Sequence, residues 1–260
     1  MMWDLEPRRI LVATEGRDGD AALRFAAREA EARRCGVHVL HVVPPVGDSG
    51  GSRTFAMVNG ELHAVGRMIV GEAATKLERL IGPDLPVSTE VTHGTVVGAL
   101  VAESRHAALV VLQHRGMGPD GRTPTLSVTS YVAARAHAPV VAVPATWREP
   151  SPDAAETVSV VLTDDDPGER LVDVAVDEAR GRGAALRIAR VEDTSEAAEE
   201  LLADAPETTL YVVGRRHPRM LGHHLDACAR TLLRRSPVPV MVVDPDVETR
   251  ARDLATVAVP

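Results

Sequence analysis

The chain is poor in cysteine and poorer in lysine. Its two cysteines, Cys35 and Cys228, stand far apart in 260 residues with no CxxC or histidine spacing around them. That excludes a disulfide framework and gives no zinc motif, so a reduced, cytoplasmic setting is expected. The one lysine is Lys76. Arginine therefore carries nearly all the positive charge, and no lysine lies close in sequence to the glycine-bearing turns described below. No run of 18 apolar residues occurs, and the opening MMWDLEPRRILVATEG places acidic residues ahead of a short apolar run. Neither a membrane span nor a secretory leader is expected. Cationic excess is also missing: 29 basic residues face 37 acidic ones, for a net charge of -8. Such a surface disfavours nucleic acid and anionic lipid as partners. The imbalance is local, with 16 residues of each sign up to position 150 and 13 basic against 21 acidic beyond it.

What the chain does have is an internal repeat. Near the start, RRILVATEGRDGDAALRFAAREAEARRCGVHVLHVVPP reads as an apolar strand, a turn with Gly16 and Gly19, an alanine-rich helix and a second strand. The segment SVVLTDDDPGERLVDVAVDEARGRGAALRIARVED has the same order, with Asp164 in the place of Glu15. Further on, ALVVLQHRG answers TLYVVGRRH and AHAPVVAVP answers SPVPVMVVD. Glu15 and Asp164 are 149 positions apart, whereas Gln113 and Gly214 are 101 apart and Pro139 and Pro239 are 100 apart. About 50 residues of the first repeat are thus absent from the middle of the second. They correspond to a long amphipathic helix within GSRTFAMVNGELHAVGRMIVGEAATKLERLIG and the alternating strand LPVSTEVTHG.

Strand and helix alternate throughout, which implies parallel pairing with right-handed crossovers. The expected fold is α/β: two tandem doubly wound, Rossmann-like domains at 7–146 and 156–245, the second without a central helix and strand. The stretch TWREPSPDAAE suits the boundary between them, and the tail after Asp246 reads as a short helix or disorder. The last strands of the repeats, VVAVPA and PVMVVDP, are apolar on both faces. Pairing through them would make an internal pseudo-dimer, and two chains could pair again as a homodimer.

In such sheets ligands bind beyond the carboxyl ends of the strands, near the point where the strand order reverses. The turns after strands one and four of the first repeat meet there. The fourth-strand loop, QHRGMGPDGRTPTLSVTSYVAARAHA, delivers Ser127, Thr129 and Ser130 to the opening turn of a helix, where backbone N–H groups suit a phosphate and Arg115 or Arg122 would neutralise it. Glu15 is placed to meet a ribose or a base edge, or else to complement the dipole of the following helix. The candidate residues for a mononucleotide are Thr14, Glu15, Val42, Arg115, Gly116, Gly118, Ser127, Val128 and Thr129.

With these turns, both repeats resemble the universal stress protein family, whose members show a VDGS-like turn after the first strand and, later, the spacing G-x2-G-x9-G-S/T that cradles phosphates in ATP-binding members. The resemblance implies a five-stranded parallel sheet per full domain and a stress-related regulatory role. In the first repeat the motif's places fall on Gln113, Gly116, Leu126 and Ser127, so one glycine and the hydroxyl remain. Leu126 puts a side chain where bare backbone would approach phosphate. In the second repeat they fall on Gly214, His217, Ala227 and Cys228, with Asp226 adjacent, and no nucleotide is expected there.

Other clusters read more plainly. Asp164, Asp165 and Asp166 form a solvated acidic turn before Pro167. His217, His223 and His224 share one segment without the partners zinc requires, and no metal is expected. His38 and His41 alternate along the second strand as hydrogen-bonded sheet residues. No nucleophile has a base in context, and the scarcity of lysine counts against an enzyme of adenylyl transfer or ATP hydrolysis. Two readings remain. One is a cytoplasmic regulatory protein binding ATP or another adenine nucleotide without turnover. The other is a ligand-free module that contacts a protein partner.

Overall fold

The computed structural model describes residues 9–16, 19–45, 52–114, 125–151, 153–163, 168–216 and 225–245, without the side chains of 52–56 and 125–127. The first repeat runs β1 (Arg9–Ala13), α1 (Asp20–Arg33), β2 (Val37–Val43), α2 (Ser52–Leu80), β3 (Val87–His93), α3 (Val96–Glu103), β4 (Ala107–His114), α4 (Thr125–Arg135) and β5 (Val140–Pro144). The second runs β6 (Thr157–Thr163), α5 (Glu169–Arg182), β7 (Ala185–Val191), α6 (Ser195–Asp204), β8 (Leu210–Gly214), α7 (Ala227–Arg235) and β9 (Val240–Val243). Among its described residues it has no counterpart of α2 and β3, the two elements the repeat arithmetic removes.

The strands form a single sheet in the order β3-β2-β1-β4-β5-β9-β8-β6-β7. All pairs within a repeat are parallel, and the repeats join edge to edge by antiparallel pairing of β5 with β9, Val140 opposite Val242 and Ala142 opposite Val240. Both joining strands are buried along their whole length. Covering each repeat's hydrophobic edge with the other removes two aggregation-prone edges. The outer edges are polar instead: β3 reads VSTEVTH and β7 carries Arg187 and Arg190.

Alternation along the strands divides the core into two layers. One lies under α1, α2 and α5 with Ile10, Val12, Val37 and Val39; the other lies under α3, α4, α6 and α7 with Leu11, Leu40, Val42 and Leu112. Loss of α2 has a visible cost. Val37 and Val39 are fully buried, whereas their equivalents Leu186 and Ile188 are 36% and 52% exposed.

Charges also join the repeats. Glu29 and Arg33 on α1 match Glu178 and Arg182 on α5 at the same separation of 149. Each acid binds the arginine of its own helix and that of the other. Such reciprocal contact defines an isologous interface, built here within one chain. Arg182 also lies over the ring of Phe25, which meets Trp147 edge-on at 5.5 Å. Trp147 belongs to the inter-repeat stretch, so that stretch is anchored in the core, and Glu156 at its end binds Arg28.

Candidate functional site

In the first repeat the strand order reverses between β1 and β4, and a cavity of about 90 Å³ opens at their carboxyl ends. It is lined by Thr14 and Glu15 after β1, Val42 on β2, Val96 and Leu100 on α3, Gln113 on β4, and Val128 and Thr129 on α4, among others. Five of the candidates, Thr14, Glu15, Val42, Val128 and Thr129, are therefore brought together. Ser127 lies in the first turn of α4, and its side chain is outside the description. Arg115, Gly116, Gly118 and Arg122 lie outside the described residues.

Local bonds shape the β1 side of the cavity. The hydroxyl of Thr14 accepts from the Gly16 N–H at 3.2 Å, and Gly16 takes a φ of 92°, which favours glycine. His41 Nδ1 lies 2.8 Å from the Thr14 carbonyl, and His38 Nδ1 lies 2.9 Å from Ser88 Oγ, so both are bonded sheet residues as expected. Glu15 is exposed at the rim.

Gln113 occupies a place that is glycine in the family motif, and it has a use that sequence alone does not show. Its Oε1 accepts from the N–H groups of Ala21 and Ala22, at 3.2 and 3.3 Å, so it caps the first turn of α1. Lys76 departs from the expectation drawn from sequence distance. It reaches from α2 to Asp20, with Nζ 2.8 Å from Oδ1, and so sits beside the loop that follows β1. This bond draws the Asp20 carboxyl below its ordinary range, and the ammonium is committed to that exposed pair.

At the equivalent strand ends of the second repeat, the described side chains bond to helix-end N–H groups and to one another. Asp193 Oδ1 accepts from the N–H groups of Ala227 and Cys228, at 2.8 and 3.1 Å, in the first turn of α7. These are the groups a phosphate would use at a helix N-terminus. Asp226 caps the same helix through Ala229 N. Arg216 lies 3.2 Å from Asp193 and 3.7 Å from Asp226, and it reaches Thr163 at the end of β6. Burial, then the charges of Asp226 and Asp193, push the Cys228 thiol up to about 12. Burial also raises the Asp226 carboxyl. The two repeats differ at one position here. Thr194 caps α6 as Thr95 caps α3, each accepting from the N–H three residues on, but the residue before the cap is Asp193 in one and Gly94 in the other. Gly94, at φ 142°, has no side chain with which to occupy a helix end.

Sequence reading missed Asp193, His114 and the residues around His38. His114 is buried at the inner end of the first-repeat loop, and burial lowers its pKa to about 4. Asp164, Asp165, Asp166, His217, His223 and His224 lie outside the described residues, as does the tail after position 245. No helix among the described residues is long and apolar enough to cross a membrane.

A doubly wound sheet whose crevice sits at a strand-order reversal defines the Rossmann-like class of α/β proteins. The model of the "Universal stress protein family" matches residues 6–144, and the chain belongs to that family. It is 32% identical over 194 residues to Universal stress protein Rv1996 of Mycobacterium tuberculosis, covering 68% of this chain and 60% of that protein. Universal stress protein Rv2005c of the same organism is 31% identical over 193 residues, covering 70% of this chain and 64% of that one. The chain thus spans less than two thirds of either relative. In fold it is similar to a universal stress protein from Archaeoglobus fulgidus, with a TM-score of 0.64 at 16% identity, covering 91% of this chain and 96% of that one.

Proposed function

We propose that this universal stress protein is a cytoplasmic regulatory protein whose first repeat binds one adenine nucleotide, ATP or a relative, without turning it over. The observation that carries this reading is the cavity at the strand-order reversal, because it combines an apolar slot, a carboxylate at the rim and the first turn of a helix. At about 90 Å³ it is smaller than the ~300–1,000 Å³ usual for a complete ligand site. It suits the base, held between Val42, Leu100 and Val128, with Glu15 towards the ribose. The phosphates then extend to the N-terminal turn of α4, where Ser127 and Thr129 supply hydroxyls and Arg115, Gly116 and Gly118 follow β4 in sequence. The second repeat takes no nucleotide, since Asp193 already uses the equivalent N–H groups.

Calorimetric titration with ATP, on protein checked for co-purified nucleotide, tests the reading beside Val42→Phe, which fills the slot. Saturable binding that Val42→Phe abolishes supports it. No binding at millimolar ATP, with none carried through purification, would favour the ligand-free module that contacts a protein partner.

A further inference from the structure

On the face of the sheet covered by α3, at the opposite end from the cavity, three ligating side chains converge. Strands β2 and β3 pair in parallel with His38 opposite Ser88 and Leu40 opposite Glu90. Residues two apart in a strand share a face, so Ser88 and Glu90 stand on one side of β3 beside the His38 ring. The helix α3 crosses that face and ends at Glu103. A ring nitrogen of His38 and one carboxylate oxygen each from Glu90 and Glu103 lie within 4.8 Å of one another. His38 and Glu103 are half-buried, and Glu90 lies at the exposed sheet edge.

The spacing matches that of two ligands on one cation. His38 Nε2 and Glu90 Oε2 are 3.5 Å apart, whereas a charge-assisted bond between such groups closes to about 2.8 Å. Two ligands of one tetrahedral zinc, each at about 2.1 Å, stand about 3.4 Å apart. The other ring nitrogen, Nδ1, is 2.9 Å from Ser88 Oγ. When Nδ1–H donates to that hydroxyl, the tautomer is fixed and the Nε2 lone pair faces the two carboxylates, as the outer partners of metal-ligating histidines arrange. Arg9 donates to the same Ser88 Oγ at 3.1 Å, and its charge weakens the attraction for a cation.

We propose that His38, Glu90 and Glu103 bind one divalent transition cation of the zinc type, oriented by Ser88, with a further position open to water at the sheet edge. One imidazole with two carboxylates suits zinc better than magnesium or calcium, which take oxygen shells. The site is separate from the nucleotide cavity: His38 precedes Val42 by four residues, about 13 Å of strand.

The test uses the whole chain, stripped with a chelator and titrated with zinc chloride by calorimetry and by competition with a chromogenic chelator. One zinc per chain is expected, with binding at least ~10-fold weaker in His38→Gln and in Glu103→Gln and ~10–100-fold weaker in Ser88→Ala. Glu103→Gln preserves the shape of the α3 terminus, so weaker binding with an unchanged Tm reports ligation rather than unfolding. The proposal is overturned by absence of saturable zinc binding or by displacement of zinc by millimolar magnesium. It is equally overturned if His38→Gln and Glu103→Gln both leave binding unchanged, as they would were His217, His223 and His224 the ligands.

Discussion

Gln113 shows how much one side chain can alter the reading of a motif. By sequence it is a missing glycine; in the fold its amide oxygen closes two N–H groups of α1. Gln113→Ala should therefore cost about 1–2 kcal/mol, the usual loss for a helix cap, measured by urea unfolding. If the side chain were only an obstruction, Gln113→Ala would be neutral or stabilising. His114, next to it, is kept neutral by burial, with its pKa at about 4 against the ordinary 6.5. The unfolded chain then binds the extra proton first, so this residue's contribution to stability is full above pH 6.5 and falls as pH drops towards 4. The difference corresponds to about 3 kcal/mol at most. His114→Gln should lose less stability between pH 7 and pH 4 than the parent, as compared by denaturant midpoints. Equal losses would assign the acid sensitivity to the carboxylates instead.

At the scale of elements, the α7 N-terminus sets the two repeats apart. Its N–H groups are spent on Asp193, which stands before the α6 cap as Gly94 stands before the α3 cap. Asp193→Ala removes acceptors from Ala227 and Cys228 and should cost about 1–2 kcal/mol, while relieving part of the upward push on the Cys228 thiol. A thiol-reactivity profile against pH reads the second effect, and an unmoved Cys228 titration would refute the proximity. The order of elements was legible in the sequence, because strand and helix periods and the repeat offsets are local signals. The contacts at element ends were not. Asp193 reads as a loop acid, Lys76 stands 56 residues from Asp20, and His38 meets Glu90 and Glu103 only once parallel register and the α3 crossover are known. Such meetings depend on tertiary geometry, which periodicity does not encode. The lining of the first-repeat cavity was legible in outline, since Thr14, Glu15, Val42, Val128 and Thr129 meet at the strand ends where an α/β sheet places its crevice.

Over the whole molecule, the chain contains a two-fold interface of its own. Antiparallel β5 and β9 supply the apolar seam, and Glu29, Arg33, Glu178 and Arg182 supply the reciprocal charges. Glu29 and Arg182 are almost completely buried, at 3% and 6% side-chain exposure. Removing Arg182 strips one of two arginines from each acid of this buried quartet and leaves both on Arg33 alone, at a cost of up to about 3 kcal/mol. Arg182→Met should destabilise by about that amount, and a double-mutant cycle with Glu29→Gln should return a coupling above ~0.5 kcal/mol. Additive losses would mean that the two groups are held by their own helices alone. The quartet was written in the sequence as a second instance of the 149-residue offset, but only the paired sheets turn that coincidence into contact.

The asymmetry between the repeats is the central claim, and photo-crosslinking with 8-azido-ATP followed by peptide mapping tests it most directly. The label is expected on peptides carrying residues 13–15, 40–42 or 112–129, in competition with unlabelled ATP, and not on peptides from 157–243. Competable label in the second repeat would contradict the account, because it would mean that Asp193 yields its helix end to a phosphate.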